Sequence, residues 1–302
     1  MTDQRAICVS VSHGGRQFIE MAKRHSRLTV VARFANVIHV AAGDDYGCLC
    51  DASVPCGPLN AVPEGPAKSI IAEAVIGQKI AFDVSQVRVY APPAPRGHAS
   101  RNARLERIAA LRAFAITSAP PDGLAGPALD HALPPSAVTK LAVPRLDGFK
   151  RWLLMAVDPS DETMPPPPTS FVGFGPGLTP SGDDFICGAL IALRACGRRS
   201  EAVALGSAAV EAARDTTTRF SRALLRAAAQ GEAIEPLHHV VNAILDGSPA
   251  LLEVHLKRLT AIGHTSGWDA LAGVIVTLEA ELQRTPSRST VANALLTSLP
   301  SP

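Results

Sequence analysis

The sequence has little aromatic surface and little excess charge. Phe, Trp and Tyr make up only 4% of its 302 residues, and the formal net charge at pH 7 is +2. Nucleic-acid binding usually needs a basic face and rings that stack on bases, so both shortages argue against a nucleic-acid partner. The chain also lacks an 18-residue apolar run and the charged-then-apolar start of a secretory signal. We therefore expect a cytoplasmic protein with no membrane contact.

The six cysteines do not follow a recognisable metal or disulfide pattern. No pair has the C-x-x-C spacing of a structural zinc site, and the chain is much longer than a typical disulfide-stapled domain. We expect reduced thiols that mostly pack inside the protein.

Aliphatic residues and proline are abundant. Hydrophobic residues form 47% of the chain, and fourteen of its 25 prolines fall between residues 91 and 170. This distribution predicts an α+β fold in three parts. They are a β-rich N-terminal domain over residues 1–95, a helix plus proline-rich connecting segment over 96–169, and an α-helical domain over 170–302.

The local patterns behind this division are of two kinds. Short β-branched runs predict strands at 7–11, 28–34, 36–40 and 80–84. Helical spacing of apolar residues predicts helices at 100–116, 184–196, 201–214, 220–230, 236–245, 251–261 and 266–283. Residues 117–169 are expected to be mostly irregular.

The most informative stretch is a glycine-rich turn that precedes an apolar helix. It reads Gly173-Phe-Gly-Pro-Gly-Leu-Thr-Pro-Ser-Gly-Asp-Asp184. Thr179 followed by Pro180 predicts an N-cap and a first helical position. A helix start behind a glycine-rich loop offers unpaired N–H groups and partial positive charge, which favour an anion. It is not a nucleotide P-loop, because acidic residues stand where Lys and Ser/Thr are required.

A second block, Gly263–Gly273, repeats this pattern 85 residues later. Ser181 falls on Ser266, Gly182 on Gly267, Asp184 on Asp269 and Gly188 on Gly273. Each glycine lies one turn from its aspartate on the same helix face, so two such helices can pack closely.

If the two helices begin at the same end, their aspartates converge with several other polar groups. Asp184 and Asp269 would then lie beside Ser181, Ser266, Thr179 and His264. Two neighbouring carboxylates repel unless a cation lies between them or one is protonated, which predicts either a Mg²⁺ site or an acid/base pair with separated pKa values. The structural alternative is that these residues only cap paired core helices.

The two blocks, together with Thr217-Thr218-x-x-Ser221 and Leu224-Leu225, resemble the bacterial family catalogued as domain of unknown function 2877. The resemblance covers roughly residues 170–275 and extends to a short signature at Gly57-Pro58-Leu59-Asn60. That family includes the third subunit of the bacterial oxamate carbamoyltransferase of allantoin breakdown. The resemblance implies reversible carbamoyl transfer between oxalurate and phosphate, giving oxamate and carbamoyl phosphate, in a complex with partner subunits. Trp268 stands where a smaller residue is expected, which predicts an altered pocket.

The site residues follow from the two blocks and the resemblance. We expect the catalytic groups to be Asp184, Asp269, His264 and Ser181. The groups that bind a small anionic substrate are expected to be Gly175, Gly177, Thr179, Gly182, Asp183, Thr217, Thr218, Ser221, Ser266, Gly267 and Asn60. Mg²⁺ is the only cofactor that the pattern suggests. The alternatives are a metal-dependent ligase or hydrolase of a ureido or acyl acid, and a non-catalytic docking subunit.

Overall fold

Seven strands near the N-terminus close into a small barrel. The computed structural model describes residues 7–94, 99–129, 137–155, 165–246 and 249–284. The strand order is β5-β4-β3-β2-β6-β1-β7, and β1 also pairs with β5, which closes the sheet. The strands are β1 (Ile7–Gly15), β2 (Leu28–Arg33), β3 (Val37–Ala42), β4 (Asp45–Cys50), β5 (Asn60–Pro63), β6 (Lys79–Asp83) and β7 (Arg88–Tyr90).

Two helices also belong to this N-terminal part, where the sequence pattern predicted strands only. They are α1 (Arg16–Arg24) and α2 (Ala67–Glu73). Helix α1 packs Phe18 and Met21 against strand β4 at Gly47, where a Cβ would lie 2.5 Å from the terminal methyl of Met21. Phe18 and Met21 are fully buried in the barrel core. Its buried residues Phe18, Ile19, Met21 and Ala22 do recur at helical spacing, so the prediction of strands alone overlooked a periodic signal.

The rest of the described chain is helical, so the predicted α+β fold is confirmed. All six helices expected after residue 170 are present within three residues of their predicted ends. The helices are α3 (Arg101–Ser118), α4 (Ala125–Ala128), α5 (Ala137–Met155), α6 (Ser181–Ala195), α7 (Arg199–Thr216), α8 (Arg219–Ala229), α9 (Glu235–Asp246), α10 (Pro249–Thr260) and α11 (Ser266–Gln283).

The expectation that residues 117–169 are mostly irregular is wrong. Helix α5 crosses this segment with Pro144 inside it. Leu146, Phe149 and Leu153 are spaced three and four residues apart and are buried in the helical core. This apolar face packs against the rest of the helical core and outweighs the local cost of one proline inside the helix.

Helices α6 and α11 form the centre of the helical part. Most of their residues are buried, and they make the most extensive contact between any two of the described elements. Burial on all sides explains why both sequences are apolar around the whole helix. Among the described residues, no helix is long and apolar enough to span a bilayer.

Candidate functional site

Helices α6 and α11 start side by side because glycines let their backbones approach closely. A Cβ on Gly188 would lie 1.9 Å from the carbonyl oxygen of Ala270, and one on Gly273 would lie 2.0 Å from that of Phe185. Any larger residue at either position would push the helices apart. The repeat therefore predicted the pairing correctly, and both N-termini lie at the same end of the pair, where Thr179 meets Ser266.

The start of α6 differs from the predicted cap by one residue. The carbonyl of Pro180 accepts the N–H groups of Asp183 and Asp184, so Pro180 is the N-cap and the helix begins at Ser181. The sequence predicted Thr179 as the N-cap, and this prediction is wrong. Its hydroxyl lies 2.9 Å from the hydroxyl of Ser266 instead, and so links the starts of the two helices.

The turn before α6 uses its glycines for backbone conformation. Gly173, Gly175 and Gly177 have φ values of +72°, +105° and +104°, which favour glycine. A Cβ on Gly173 would also collide with the carbonyl of Thr216 at 2.0 Å. Within the described residues, the N–H groups of Gly175 and Gly177 make no hydrogen bond. The turn therefore presents free donors, as an anion site would.

Asp183 ties this turn to the start of α8. Its carboxylate is 1% exposed and accepts the N–H of Gly173 at 2.8 Å. Ser221 donates to it at 2.6 Å, and the Thr217 hydroxyl donates to the same oxygen. Thr218 caps α8 by accepting the N–H of Ser221 at 3.0 Å. These four predicted substrate-binding residues thus bind one another and set the shape of the turn.

Asp184 has a different environment from its neighbour. Burial and the nearby Asp269 carboxylate raise the pKa of Asp184 well above its usual value, while the Ser266 and Thr179 hydroxyls oppose the shift. Its Oδ2 is buried and has no hydrogen-bond partner among the described residues. The raised pKa favours the protonated form of this carboxyl, which can donate a hydrogen bond.

Asp269 faces the opposite side of the helix pair, toward the loop before α4. Its Oδ1 accepts the N–H of Leu124 at 2.5 Å, and a Cβ on Gly123 would lie 2.5 Å from the same oxygen. Burial raises the pKa of Asp269 to about 6, opposed by the Ser181 hydroxyl and the Leu124 N–H. The two aspartates are therefore close in space but serve different neighbours.

A cavity of about 440 Å³ lies between the barrel and the helices, on the Asp184 side of the pair. Strands β3 and β4 and the loop before β5 form one wall, and helices α6, α8, α9 and α11 form the other. Five predicted site residues line it: Asn60, Thr179, Asp184, Ser266 and Gly267. The amide of Asn60 also donates to the carbonyl of Pro55 at 2.9 Å, which fixes the loop.

Other predicted site residues lie outside this wall. Ser181 is buried on the Asp269 side, and His264 is largely exposed and pairs with Asp122 at 3.2 Å. Gly182 packs against the carbonyl of Phe171, where a Cβ would lie at 1.9 Å. Roles for these residues in catalysis or binding stay predictions.

Trp268 also lies away from the cavity. Its ring stacks on Phe114 of α3 with 5.5 Å between the centroids. It is not among the described residues that line the cavity. A change of the substrate pocket by this residue stays a prediction.

His39 is a cavity residue that no sequence motif singles out. It lies on β3, lines the cavity, and packs its ring 4.8 Å from that of Phe220 on α8. Its Nδ1 lies 3.0 Å from the Tyr46 hydroxyl, and burial lowers the pKa of His39 to about 4. His39 lines the cavity only because the barrel packs against α8. No local sequence motif encodes that long-range contact, so the sequence could not identify this residue.

The metal alternative has limited support from side-chain placement. In the part of the chain described, no group of three or more His, Cys, Asp or Glu side chains is placed to hold a metal ion. The Asp269 carboxylate helps to raise the pKa of Asp184, and protonation of Asp184 would relieve the repulsion between the two groups without a cation. Mg²⁺ binding by these carboxyls and the adjacent hydroxyls stays a prediction.

Comparison with known proteins agrees with the sequence resemblance. No solved structure matches the chain. Residues 171–278 match a family model, and this segment runs from the glycine-rich turn to the last turns of α11. It contains both S-G-x-D blocks, the Thr217–Ser221 contacts and the close helix pair. The model that this segment matches is that of the family described as oxamate carbamoyltransferase subunit AllH.

Proposed function

We propose that this chain is the carbamoyltransferase subunit that binds a small carboxylate or carbamoyl substrate at the paired N-termini of α6 and α11. The observation that carries the proposal is the unpartnered, buried Oδ2 of Asp184 in the wall of a cavity. Buried polar atoms are nearly always hydrogen-bonded in native proteins, so an orphaned one beside a cavity indicates a missing ligand.

The free donors of the glycine-rich turn support a place for the anionic group. The N–H groups of Gly175 and Gly177 lack partners within the described residues, and the α6 N-terminus adds partial positive charge. The carboxylate or phosphate of the substrate would bind at this turn. The carbamoyl end would then bind near Asp184, Thr179 and Ser266.

Carbamoyl transfer needs a proton at the leaving nitrogen. A phosphate oxygen attacks the carbamoyl carbon of oxalurate, the bond from that carbon to the amide nitrogen breaks, and the nitrogen takes a proton to give oxamate. The incoming hydrogen phosphate loses one proton in the same reaction. A protonated Asp184 could give the first proton and recover the second, which is general acid/base catalysis. Partner subunits would complete the active complex.

Ligand titration of variants tests this proposal. Oxamate, oxalurate and carbamoyl phosphate would each be titrated into the purified chain, with and without Mg²⁺. Asp184→Ala should weaken binding about tenfold, since one hydrogen bond to a neutral partner contributes roughly 1–1.5 kcal/mol. Asp184→Asn should retain binding but lose transfer, because an amide cannot donate the proton. The matched control is Asp147→Asn on an exposed face of α5.

The outcomes separate the alternatives. Equal affinity in the wild type and in Asp184→Ala would overturn the proposed site. Binding that appears only with Mg²⁺ would favour the metal-dependent alternative. Transfer by the chain alone would exclude a purely docking role, and transfer only after the partner subunits are added would identify the chain as one component of the active complex.

A further inference from the structure

We infer that the molecule bound in the cavity carries a hydrocarbon group beside an uncharged carboxamide or ureido end, and is therefore larger than oxamate. The inference rests on the proposed placement of the substrate in this cavity. It concerns the part of the cavity that the small-anion chemistry does not use.

The greater part of the cavity wall is aliphatic. Large apolar side chains come from α8, the start of α9 and the segment around the end of α10: Phe220, Leu224, Ile234, Leu237, Leu259 and Ile262. The hydroxyls of Thr179 and Ser266 and the carboxyl of Asp184 come from the starts of α6 and α11. The wall is thus divided into a polar end at the helix starts and an apolar remainder. A ligand complementary to both would have a polar head and a hydrocarbon tail.

The apolar remainder offers no positive charge to a second anionic group. Among the described residues that line the cavity there is no Lys or Arg. The lining residue Glu232 is already paired with a basic group outside the lining, the Nε of Arg16, at 2.8 Å. Burying an unpaired charge in such surroundings is strongly unfavourable.

Three titratable groups in the same wall are held in uncharged forms. Burial lowers the pKa of His39 to about 4 and raises the pKa of the Cys48 and Cys187 thiols well above their usual value. These groups add hydrogen-bonding capacity without charge at neutral pH. They suit an uncharged amide or ureido function better than a second carboxylate.

The volume of the cavity also favours a ligand larger than oxamate. Oxamate has only about six non-hydrogen atoms, and at roughly 30 Å³ for each water-sized group it would fill less than half of the cavity. The cavity measures about 440 Å³. The space left beside the polar end is lined by the aliphatic side chains, where a hydrocarbon tail gains affinity as it leaves water.

A homologous series of N-alkylureas tests this inference directly. Methylurea, butylurea and hexylurea would be titrated calorimetrically into the full chain, with oxamate and oxalurate in parallel. Each fully buried methylene contributes about 0.8 kcal/mol, or about fourfold in affinity. We expect at least a tenfold gain from methylurea to hexylurea, whereas equal affinity across the series would overturn the inference.

The same titrations distinguish this inference from the proposed function. Tight oxalurate binding with a flat alkyl series would overturn the inference and support the proposed function. If affinity rises along the alkylurea series but neither oxamate nor oxalurate binds, the inference is supported and the proposed function is overturned. Binding of neither class would overturn both.

Variants locate the hydrocarbon in the apolar part of the wall. Leu224→Ala enlarges that wall and should lower hexylurea affinity several-fold while leaving methylurea affinity unchanged. The matched control is Leu225→Ala on the same helix, a fully buried residue outside the described lining, which should leave the hexylurea-to-methylurea affinity ratio unchanged. Ala228→Leu should narrow the space and weaken hexylurea binding alone. Equal affinity ratios in all three variants would overturn the placement.

Discussion

Replacing Asp183 with alanine should destabilise the protein far more than replacing Asp184, although the two residues are adjacent. Asp183 is almost fully buried and accepts hydrogen bonds from Gly173, Thr217 and Ser221. Hydrogen bonds to a charged acceptor contribute about 1.5–3 kcal/mol each. Because the two hydroxyls can turn toward other acceptors, we expect a total loss of about 3–5 kcal/mol. Asp184 has an unpartnered Oδ2, so its removal should change the free energy of unfolding by less than about 1 kcal/mol.

Urea denaturation at pH 7, followed by circular dichroism, measures this difference. With a denaturant slope of about 2–3 kcal/mol per molar, Asp183→Ala should lower the midpoint by about 1–2 M and Asp184→Ala by much less. Asp183→Asn serves as a volume-matched control and should fall between Asp183→Ala and the wild type, since one amide oxygen still accepts. An Asp183→Ala midpoint equal to that of the wild type would refute the structural role assigned to this carboxylate. So would equal losses in the two alanine variants.

Two further predictions concern the helix pair. Stability should fall as the pH rises from about 4 to 6, because folded Asp269, with a pKa of about 6, keeps a proton that unfolded Asp has already lost. In Asp269→Asn the urea midpoint should fall less between pH 4 and pH 6 than in the wild type. If the midpoints of both proteins fall equally with pH, the raised pKa does not belong to Asp269. Gly188→Ala should cost about 3 kcal/mol, because its Cβ would lie 1.9 Å from the Ala270 carbonyl oxygen. The control is Gly148→Ala on α5, whose added Cβ meets nothing within 4 Å and should raise the free energy of unfolding by about 0.5–1 kcal/mol. Thermal melts measure both effects. Equal melting temperatures for the two variants would argue against close packing at Gly188.

The sequence predicted the helical part well because its signals are local and periodic. Apolar residues recur at helical spacing after residue 170, and glycines such as Gly197 and Gly231 end the helices with positive φ. Helix α5 was missed because proline-rich flanks and Pro144 hid an apolar face that only packing reveals. Strands β4, β5 and β7 were missed because β4 contains no β-branched residue and because β5 and β7 span only four and three residues.

The repeat carried long-range information that single motifs do not. Equivalent glycines four residues after equivalent aspartates predicted that α6 and α11 pack together at the same end, and the structure agrees. The repeat could not predict that Asp184 faces the cavity while Asp269 faces Leu124. That difference depends on which distant segment covers each side of the pair, the loop before β5 or the loop before α4. Neither of these segments belongs to the repeat. The two aspartates are therefore equivalent in sequence but have different surroundings.

A protonated Asp184 that meets the substrate in the cavity is directly observable. Infrared difference spectroscopy at pH 7 detects its carboxylic acid carbonyl, with Asp184→Asn to assign the band. We expect a protonated band in the free protein that shifts when oxalurate or oxamate binds and is missing from the variant. If a ligand binds with no change in this band, or if the wild-type spectrum lacks it, Asp184 does not have this role.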